Sequence, residues 1–218
     1  MMNVSKAVES RKSIRAFLDK PVPNELIREL LQKASRSPSG GNVQPWQVFV
    51  INDTAMQDFH KHVAASTEPE QAAYEIYPES LKEPYRSSRF KVGEDMYALL
   101  EIPREDRGGR IRRLMENYRC FGAPATIFCY VDRQMGKPQW SDLGMFLQTF
   151  MLLAQEAGLS TCAQEAWATR ADTVSRFVKA PQELMLFCGV AIGYEDTSAA
   201  VNSLVSQRRP IEEFATFI

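Results

Sequence analysis

Apolar residues in the first third of the chain recur at helical spacing, and one short apolar run stands among them. Val4, Ala7 and Val8 predict a short helix that ends near Arg11. Asn24 is the predicted cap of a second helix. Its apolar stripe consists of Leu26, Ile27, Leu30, Leu31 and Ala34. Residues 46–51 form a strand candidate, and residues 52–53 begin a third predicted helix that extends to about His62.

The second half of the chain contains two unbroken apolar runs, residues 125–131 and 184–192, which predict buried strands. Between them, Ser141 is the predicted cap of a long helix that continues to about Ala157 and is ended by Gly158. This helix is apolar on nearly every side, so it must be buried on every side, as a central helix or in a subunit interface. A short helix at 172–179 and an apolar tail at 211–218 complete the prediction.

Residues 64–119 differ from both halves because prolines interrupt them and their apolar periodicity is weak. We interpret this segment as a helical excursion within one domain that spans residues 1–218. Its residues 104–113 carry five arginines and two acidic residues. Such a run is typical of a solvated helix face, and the alternative is a basic rim for an anionic substrate or a nicotinamide phosphate.

Composition narrows the possible partners and compartment. The chain has 218 residues, of which 44% are hydrophobic, and a net charge of −1. Because the net charge is close to zero, the chain has no overall electric field that would attract it to nucleic acid or to an anionic membrane. No apolar stretch approaches the roughly 20 residues that a membrane-spanning helix needs. The N-terminal residues lack the apolar segment of a signal peptide. We therefore expect a cytoplasmic protein with four free, buried cysteines.

Histidines are too few to support metal or hydrolytic chemistry. The chain has only His60 and His62, which are two residues apart and so would not share a helix face. We expect no metal site and assign no catalytic side chain. If the chain is an enzyme, a bound cofactor carries the chemistry.

Three polar segments are candidates for binding. If the first segment is extended, Arg11, Ser13 and Arg15 share one face, which suits the binding of a phosphate monoester. A basic cluster on the surface, without a ligand, would have the same sequence pattern. The second segment, residues 38–46, is rich in small and polar residues. Such residues let the backbone approach a flat ligand closely, and they are also typical of a turn before a strand. The third, residues 158–167, has no clear period, which indicates exposed backbone donors or an ordinary loop between helices.

Together these segments resemble the FMN-dependent nitroreductase family, and more loosely its bacterial members that act on nitrobenzoate. Four family motifs match: R-x-S-x-R/K, P-S-x-x-N-x-Q-P-W, G-L-x-[ST] followed by a glutamate, and a late arginine before proline. The matching residues are Arg11, Ser13, Arg15; Pro38, Ser39, Asn42, Gln44, Pro45, Trp46; Gly158, Leu159, Thr161, Glu165; and Arg208. The motifs lie in residues 4–62 and 120–218, outside the excursion.

The resemblance implies an α+β fold with a mainly antiparallel central sheet flanked by helices, in an intertwined homodimer with FMN sites at the interface. The implied FMN-binding residues are Arg11, Lys12, Ser13, Arg15, Pro38, Ser39, Gly40, Asn42, Gln44, Ala163, Gln164, Glu165, Ala166 and Arg208. Within this set, the arginines and Ser13 would hold the phosphate, residues 38–40 would come from the partner chain, and the Glu165 amide would lie near flavin N5.

The implied activity is ping-pong transfer of hydride from NADH or NADPH through FMN to a small nitroaromatic acceptor, with quinones as side substrates. Reductive dehalogenation, ene reduction and flavin fragmentation are alternatives on the same fold. A non-catalytic flavin-binding protein is an alternative of another class.

Overall fold

The computed structural model describes residues 2–218, which form seven α-helices and four strands. The helices are α1 (Val4–Ser10), α2 (Asn24–Ala34), α3 (Thr54–Ala65), α4 (Tyr85–Leu99), α5 (Arg107–Met115), α6 (Lys137–Glu156) and α7 (Ala171–Val178). The strands are β1 (Gln47–Asn52), β2 (Ala125–Asp132), β3 (Ser160–Gln164) and β4 (Leu184–Gly193). Short 3₁₀ turns occupy several of the connections.

The four strands form one sheet in the order β1-β2-β4-β3, and every neighbouring pair is antiparallel. In the centre, Cys129 of β2 lies opposite Cys188 of β4. The pairing shifts by one residue just after Cys129, because Phe187 of β4 is left without a partner in β2, a bulge that bends β4. The predicted α+β fold with an antiparallel sheet is confirmed.

Both faces of the sheet are covered, which explains why β2 and β4 are apolar without interruption. Ile127 and Val131 of β2 pack on one face with residues of α2 and α6. Phe128 and Tyr130 pack on the other face with α3, α7 and the turns around them. Because each side chain of β2 meets a layer of helices, alternation with polar residues would leave polar groups buried. The two strands predicted from apolar runs are confirmed.

A glycine in β4 makes room for the largest buried side chain. A Cβ atom at Gly189 would lie 2.6 Å from Cδ1 of Trp167 and 3.0 Å from Cε1 of Phe128. Trp167 is fully buried, and its ring meets the ring of Phe128 edge to face. The tight packing of this face therefore requires glycine at position 189.

Three local predictions were wrong. Asn24 does not cap α2, because the cap position is Pro23 and Asn24 is the first helical residue. The helix α6 begins at Lys137 rather than after Ser141, since Pro138 is tolerated in the first turn of a helix. At this end of α6, the backbone N–H of Gly136 donates a hydrogen bond to the side-chain oxygen of Gln139 (3.1 Å). Residues 160–164, expected to lie in an irregular segment, form β3.

The long helix α6 is not a central helix. Leu143, Phe146 and Phe150 are buried against the sheet, whereas Met145 is 39% exposed and Gln148 is also exposed. Of the two explanations that an all-round apolar helix allows, the central helix is wrong, and the subunit interface stays a prediction. Although α6 is the longest of the described helices, no helix within residues 2–218 has the length and hydropathy to span a membrane.

The excursion contains two helices that lie outside the core. No residue of α4 is buried, and in α5 only Gly109 is. The two helices are joined by Arg110, which donates two hydrogen bonds to the carboxylate of Glu94 (2.5 and 3.0 Å) and stacks over the ring of Tyr97. Weak periodicity in this segment thus reflects helices without a buried face.

Candidate cofactor site

The segment around Ser13 runs in an extended conformation beside β3. Ser13 forms a parallel bridge with Thr161, and the N–H of Ile14 donates to the Thr161 carbonyl (3.0 Å). Ile14 is buried, whereas Lys12 on the same side of the backbone extends to Glu195, with 2.9 Å between the ammonium and the carboxylate. Arg11, Ser13 and Arg15 all lie near the Cys162 thiol of β3, as expected if the odd-numbered side chains of an extended segment face this strand.

Sequence reasoning missed the residue that fixes this segment in place. Asn202 is buried, and its Oδ1 accepts a hydrogen bond from the N–H of Arg15 (2.8 Å). Its Nδ2 donates to the carbonyl of Ala16 (2.8 Å), and its own carbonyl accepts from Lys12 Nζ (2.5 Å). No periodic or motif signal marks this asparagine in the sequence.

The charge of Arg208 acts on Arg11 although the two residues are 197 positions apart in the chain. Burial of the half-buried Arg11 side chain lowers its pKa, and the charge of Arg208 lowers it further. Within residues 2–218, Arg208 donates only to its own neighbourhood, through Nη1 to the carbonyl and hydroxyl oxygens of Ser206 (3.0 and 2.7 Å) and to the carbonyl of Gln207 (3.2 Å). Two neighbouring guanidinium groups favour an anion between them, and a phosphate monoester offers the oxygens that they bind best.

The strand β3 presents backbone groups beside these cations. It lies at the edge of the sheet, and its Thr161 carbonyl accepts at the outer edge. Because backbone groups alternate in direction along a strand, the N–H and C=O of Ala163 face the same outer edge. Ala163 is exposed, whereas Gln164 is buried and donates from Nε2 to the Asn117 carbonyl (2.7 Å). A flat polar ring system could bind along this edge.

The chain turns away from β3 after Gln164. Glu165 and Ala166 open the 3₁₀ turn Glu165–Arg170, which is held by Thr169 Oγ1 donating to the Ala166 carbonyl (2.8 Å). The Glu165 side chain remains at the surface, yet the surrounding protein desolvates its carboxyl enough to raise the pKa. These two residues therefore continue the exposed edge that Ala163 begins.

The loop 38–44 contains three residues in a left-handed backbone conformation, which few residue types adopt. Gly41, Asn42 and Gln44 all have positive φ (58°, 58° and 51°), and Ser39 Oγ accepts from the N–H of Gln44 (3.0 Å). Pro38, Gly40 and Asn42 are exposed. The loop thus presents several polar groups to the exterior in a fixed conformation.

Within one chain, this loop and the Arg11 segment lie at opposite ends of α6. The N–H of Gly40 donates to Oδ2 of Asp142 (3.3 Å), near the beginning of the helix. Gln155 Nε2 donates to Oγ of Ser10 (3.3 Å), near its end. Residues 142 and 155 are roughly 20 Å apart along a helix. A single chain therefore brings Arg11, Ser13, Arg15, Arg208 and residues 163–166 to one side of the molecule, without the residues of loop 38–44.

Comparisons with known proteins identify the family to which the chain belongs. The sequence profile of the nitroreductase family matches residues 8–194. A 4-nitrobenzoate reductase from Pseudomonas putida is 35% identical over 97% of this chain and 93% of its own length. The chain belongs to the nitroreductase family.

Two solved nitroreductase structures resemble the chain over nearly its whole length. The FMN and NADPH-dependent nitroreductase NfnB from Sphigopyxis sp. strain HMH is 42% identical, covers 100% of this chain and 99% of its own, and has a TM-score of 0.96. The FMN-dependent NfnB from Mycobacterium smegmatis, solved in complex with NADPH, is 26% identical over 99% of this chain and 100% of its own, with a TM-score of 0.92. The excursion is thus part of the fold that the chain shares with these two nitroreductases.

In this member of the nitroreductase family, the excursion also reaches the candidate site. Arg113 of α5 donates from Nη2 to the carbonyl of Arg15 (3.0 Å). Of the three excursion arginines that sequence reasoning offered for anion recognition, Arg107 is exposed and Arg110 is bonded to Glu94, whereas Arg113 lies beside Arg15. Sequence alone gave no reason to prefer one of the three.

Proposed function

We propose that this chain is an FMN-dependent NAD(P)H oxidoreductase that reduces nitroaromatic compounds. The observation that carries the proposal is the pair Arg11 and Arg208 beside the exposed edge of β3, a cation pair and a flat polar edge in one place. FMN has a phosphate at one end and a flat ring system at the other, so it matches both features. The nitroreductase relatives, two of them described as FMN-dependent, support the same conclusion.

The residues divide the binding of FMN between them. Arg11, Ser13, Arg15 and Arg208 bind the phosphate and the neighbouring part of the cofactor, and Lys12 supports them from its ion pair with Glu195. The backbone of residues 163–166 lies against the ring, with Gln164 fixed from behind by Asn117. Bound FMN supplies the electron transfer from NADH or NADPH to the acceptor, and the protein supplies binding and orientation.

We further propose that a second copy of the chain completes each site. Two chains related by a two-fold axis with antiparallel α6 helices would bring the Asp142 end of one helix to the Gln155 end of the other. Pro38, Ser39, Gly40, Asn42 and Gln44 of one chain would then reach the FMN held by Arg11 of its partner. The open apolar side of α6, where Met145 is 39% exposed, supports this assembly. Light scattering should give a dimer, and a monomer with full flavin content and activity would contradict it.

The domain organisation and the compartment of the protein belong to the same proposal. The chain forms a single nitroreductase-like domain, with the excursion at about 64–119 packed on its outside. All four cysteines in the described part of the chain are buried and outside any disulfide, which suits the reducing cytoplasm.

Replacing the cations one at a time tests the binding mode. Because a charge-assisted hydrogen bond contributes about 1.5–3 kcal/mol, Arg11→Ala should weaken FMN binding roughly 10- to 150-fold. Lys12→Ala should have a smaller effect, since its ammonium is bonded to Glu195 and the Asn202 carbonyl. Fluorescence titration of the flavin-free protein with FMN measures both. Equal losses for the two variants would contradict the assignment of Arg11 to the phosphate side.

Spectroscopy and turnover separate the possible activities. The FMN-loaded protein should lose its visible flavin absorbance when it is mixed anaerobically with NADPH or NADH, and should then reduce nitroarenes. A flavin spectrum that neither donor bleaches would favour a binding protein. Turnover of halophenols without turnover of nitroarenes would favour reductive dehalogenation.

A further inference from the structure

A small cavity separates the candidate cofactor site from the excursion. It has a volume of about 290 Å³, and Arg15, Cys162 and Ala163 line it on the side of β3, so it directly adjoins the edge proposed to hold the flavin ring. Tyr77, Arg89, Tyr97, Arg113 and Asn117 line the side that belongs to residues 64–119. Binding sites for small molecules span roughly 300–1,000 Å³, so this cavity lies at the lower limit and suits a compound with one aromatic ring.

The cavity is strongly cationic. Three guanidinium groups line it, those of Arg15, Arg89 and Arg113, and none of the described residues in its wall carries a carboxylate. Arg89 also stacks over the ring of Tyr77, 4.2 Å from its centre. Cations together with aromatic rings are the groups that pair with the carboxylate and stack on the ring of an aromatic acid.

Among the three arginines that line the cavity, Arg113 has a buried nitrogen without a hydrogen-bond partner in the described part of the chain. Its Nη2 donates to the Arg15 carbonyl, but its Nε is buried and has no hydrogen-bond partner among the residues that the structure describes. Burial and the charge of Arg15 lower the pKa of Arg113, although an arginine stays charged in a protein. A buried charged donor without a partner is costly, so an anion bound in the cavity would stabilise it.

The neighbouring arginines of α5 do not share this position. Arg110 is bonded twice to Glu94, and Arg112 is exposed with its nearest carboxylate, that of Asp106, 3.9 Å away. The charge of Glu116 also acts on Arg113, in the opposite sense to burial, but it does not line the cavity. Among these arginines, Arg113 therefore has a donor to offer to a ligand.

We propose that Arg113 is a specificity-determining residue, whose guanidinium binds the carboxylate of an aromatic acid that accepts electrons at this site. The inference rests on the proposed nitroreductase activity and names the substrate class within it. Arg113 recognises the acid while its bond to the Arg15 carbonyl keeps it beside the cofactor residues. The nitro group at the other end of a one-ring acid is then free to approach the ring of FMN.

The test compares an acid with its neutral counterpart, 4-nitrobenzoate with nitrobenzene, in the FMN-loaded enzyme. Arg113→Gln should raise KM for 4-nitrobenzoate about 10- to 150-fold, the range expected for loss of one charge-assisted bond, and change KM for nitrobenzene far less. Arg113→Lys should recover part of the loss. Arg112→Gln is the matched control, since it removes the same charge from an exposed position on the same helix, and it should leave both KM values unchanged.

A binding measurement gives an answer that does not depend on turnover. Benzoate should perturb the visible spectrum of the oxidised FMN-loaded protein, and Arg113→Gln should weaken its affinity while Arg112→Gln does not. If wild-type protein reduces neither acceptor, the proposed activity fails, and benzoate binding still decides the role of Arg113.

Three results would overturn the proposal. Equal losses for both acceptors, together with a changed FMN affinity or reduction potential, would assign Arg113 to the cofactor. A loss seen with NADPH and not with NADH would assign it to the donor's phosphate. Unchanged kinetics and unchanged benzoate affinity in Arg113→Gln would leave Arg113 as a contact that holds α5 to the Arg15 segment.

Discussion

The central sheet and the α4–α5 region both contain aromatic side chains, but strand β2 of the sheet buries its aromatic residues and the α4–α5 region leaves its own at least partly exposed to solvent. Phe128 of β2 is fully buried and meets the rings of Phe59 and Trp167, whereas Phe90 of α4 is 53% exposed. The sheet is held by apolar burial on both faces. The α4–α5 region is held instead by polar and cation–π contacts, such as Arg110 with Glu94 and Arg104 over Phe90. The two regions of one chain are thus held together by different kinds of contact.

The largest difference between the two regions should appear in the free energy of unfolding. Phe128→Ala leaves a cavity among buried aromatic rings and should destabilise the protein by about 3–5 kcal/mol. Phe90→Ala removes an exposed ring and should change stability by no more than about 0.5 kcal/mol. Urea denaturation followed by circular dichroism measures both. Similar losses would mean that α4 packs as tightly as the sheet.

A smaller effect on stability should appear when the pH is lowered, because of His60 in α3. Burial lowers the pKa of His60, and the charge of Arg119 lowers it further. Protons therefore bind the unfolded chain more readily, and stability falls as the pH drops below the unfolded histidine pKa of about 6.5. Between about pH 7.5 and about pH 5.5, wild-type protein should lose more in melting temperature than His60→Phe. An equal loss in the two proteins would exclude His60 as the source.

The smallest global effect should follow from breaking the link between α4 and α5. Arg110→Ala removes both hydrogen bonds to Glu94, and it should leave the urea midpoint of the whole protein nearly unchanged because the sheet is untouched. Limited proteolysis should nevertheless cut residues 64–119 faster than in wild-type protein. Arg112→Ala, on the same helix and exposed, is the control. A large drop in the urea midpoint would show that the two regions unfold together.

Sequence patterns predicted the elements that bury a continuous apolar surface. The strands β2 and β4 and the helices α2 and α3 came within a few residues of their observed bounds, because apolar spacing is set directly by burial. The strand β3 was missed, since Thr161 and Gln164 are polar and are buried only through contacts made after the chain has folded. The start of α6 was missed because Ser141 resembles a cap, although it donates to the Pro138 carbonyl within the first turn.

The candidate site was predictable only as far as motifs marked it. Motifs gave the Arg11 segment, loop 38–44, residues 163–166 and Arg208. They gave no sign of Asn202, which holds the Arg15 segment through side-chain bonds to residues nearly 190 positions away. Arg113 was one of several candidate arginines in the sequence, and its contact with Arg15 and its place in the cavity wall distinguish it. Long-range contacts of single polar side chains leave no periodic trace in a sequence.

The placement of two motifs at opposite ends of α6 has a genetic consequence. If each site takes Arg11 from one chain and Ser39 from the other, a mixed dimer of an Arg11 variant and a Ser39 variant has one doubly defective site and one intact site. Two alleles that are each inactive alone would then complement each other in the same cell. The length of one helix would thereby let two damaged copies of the gene restore part of the activity that neither encodes.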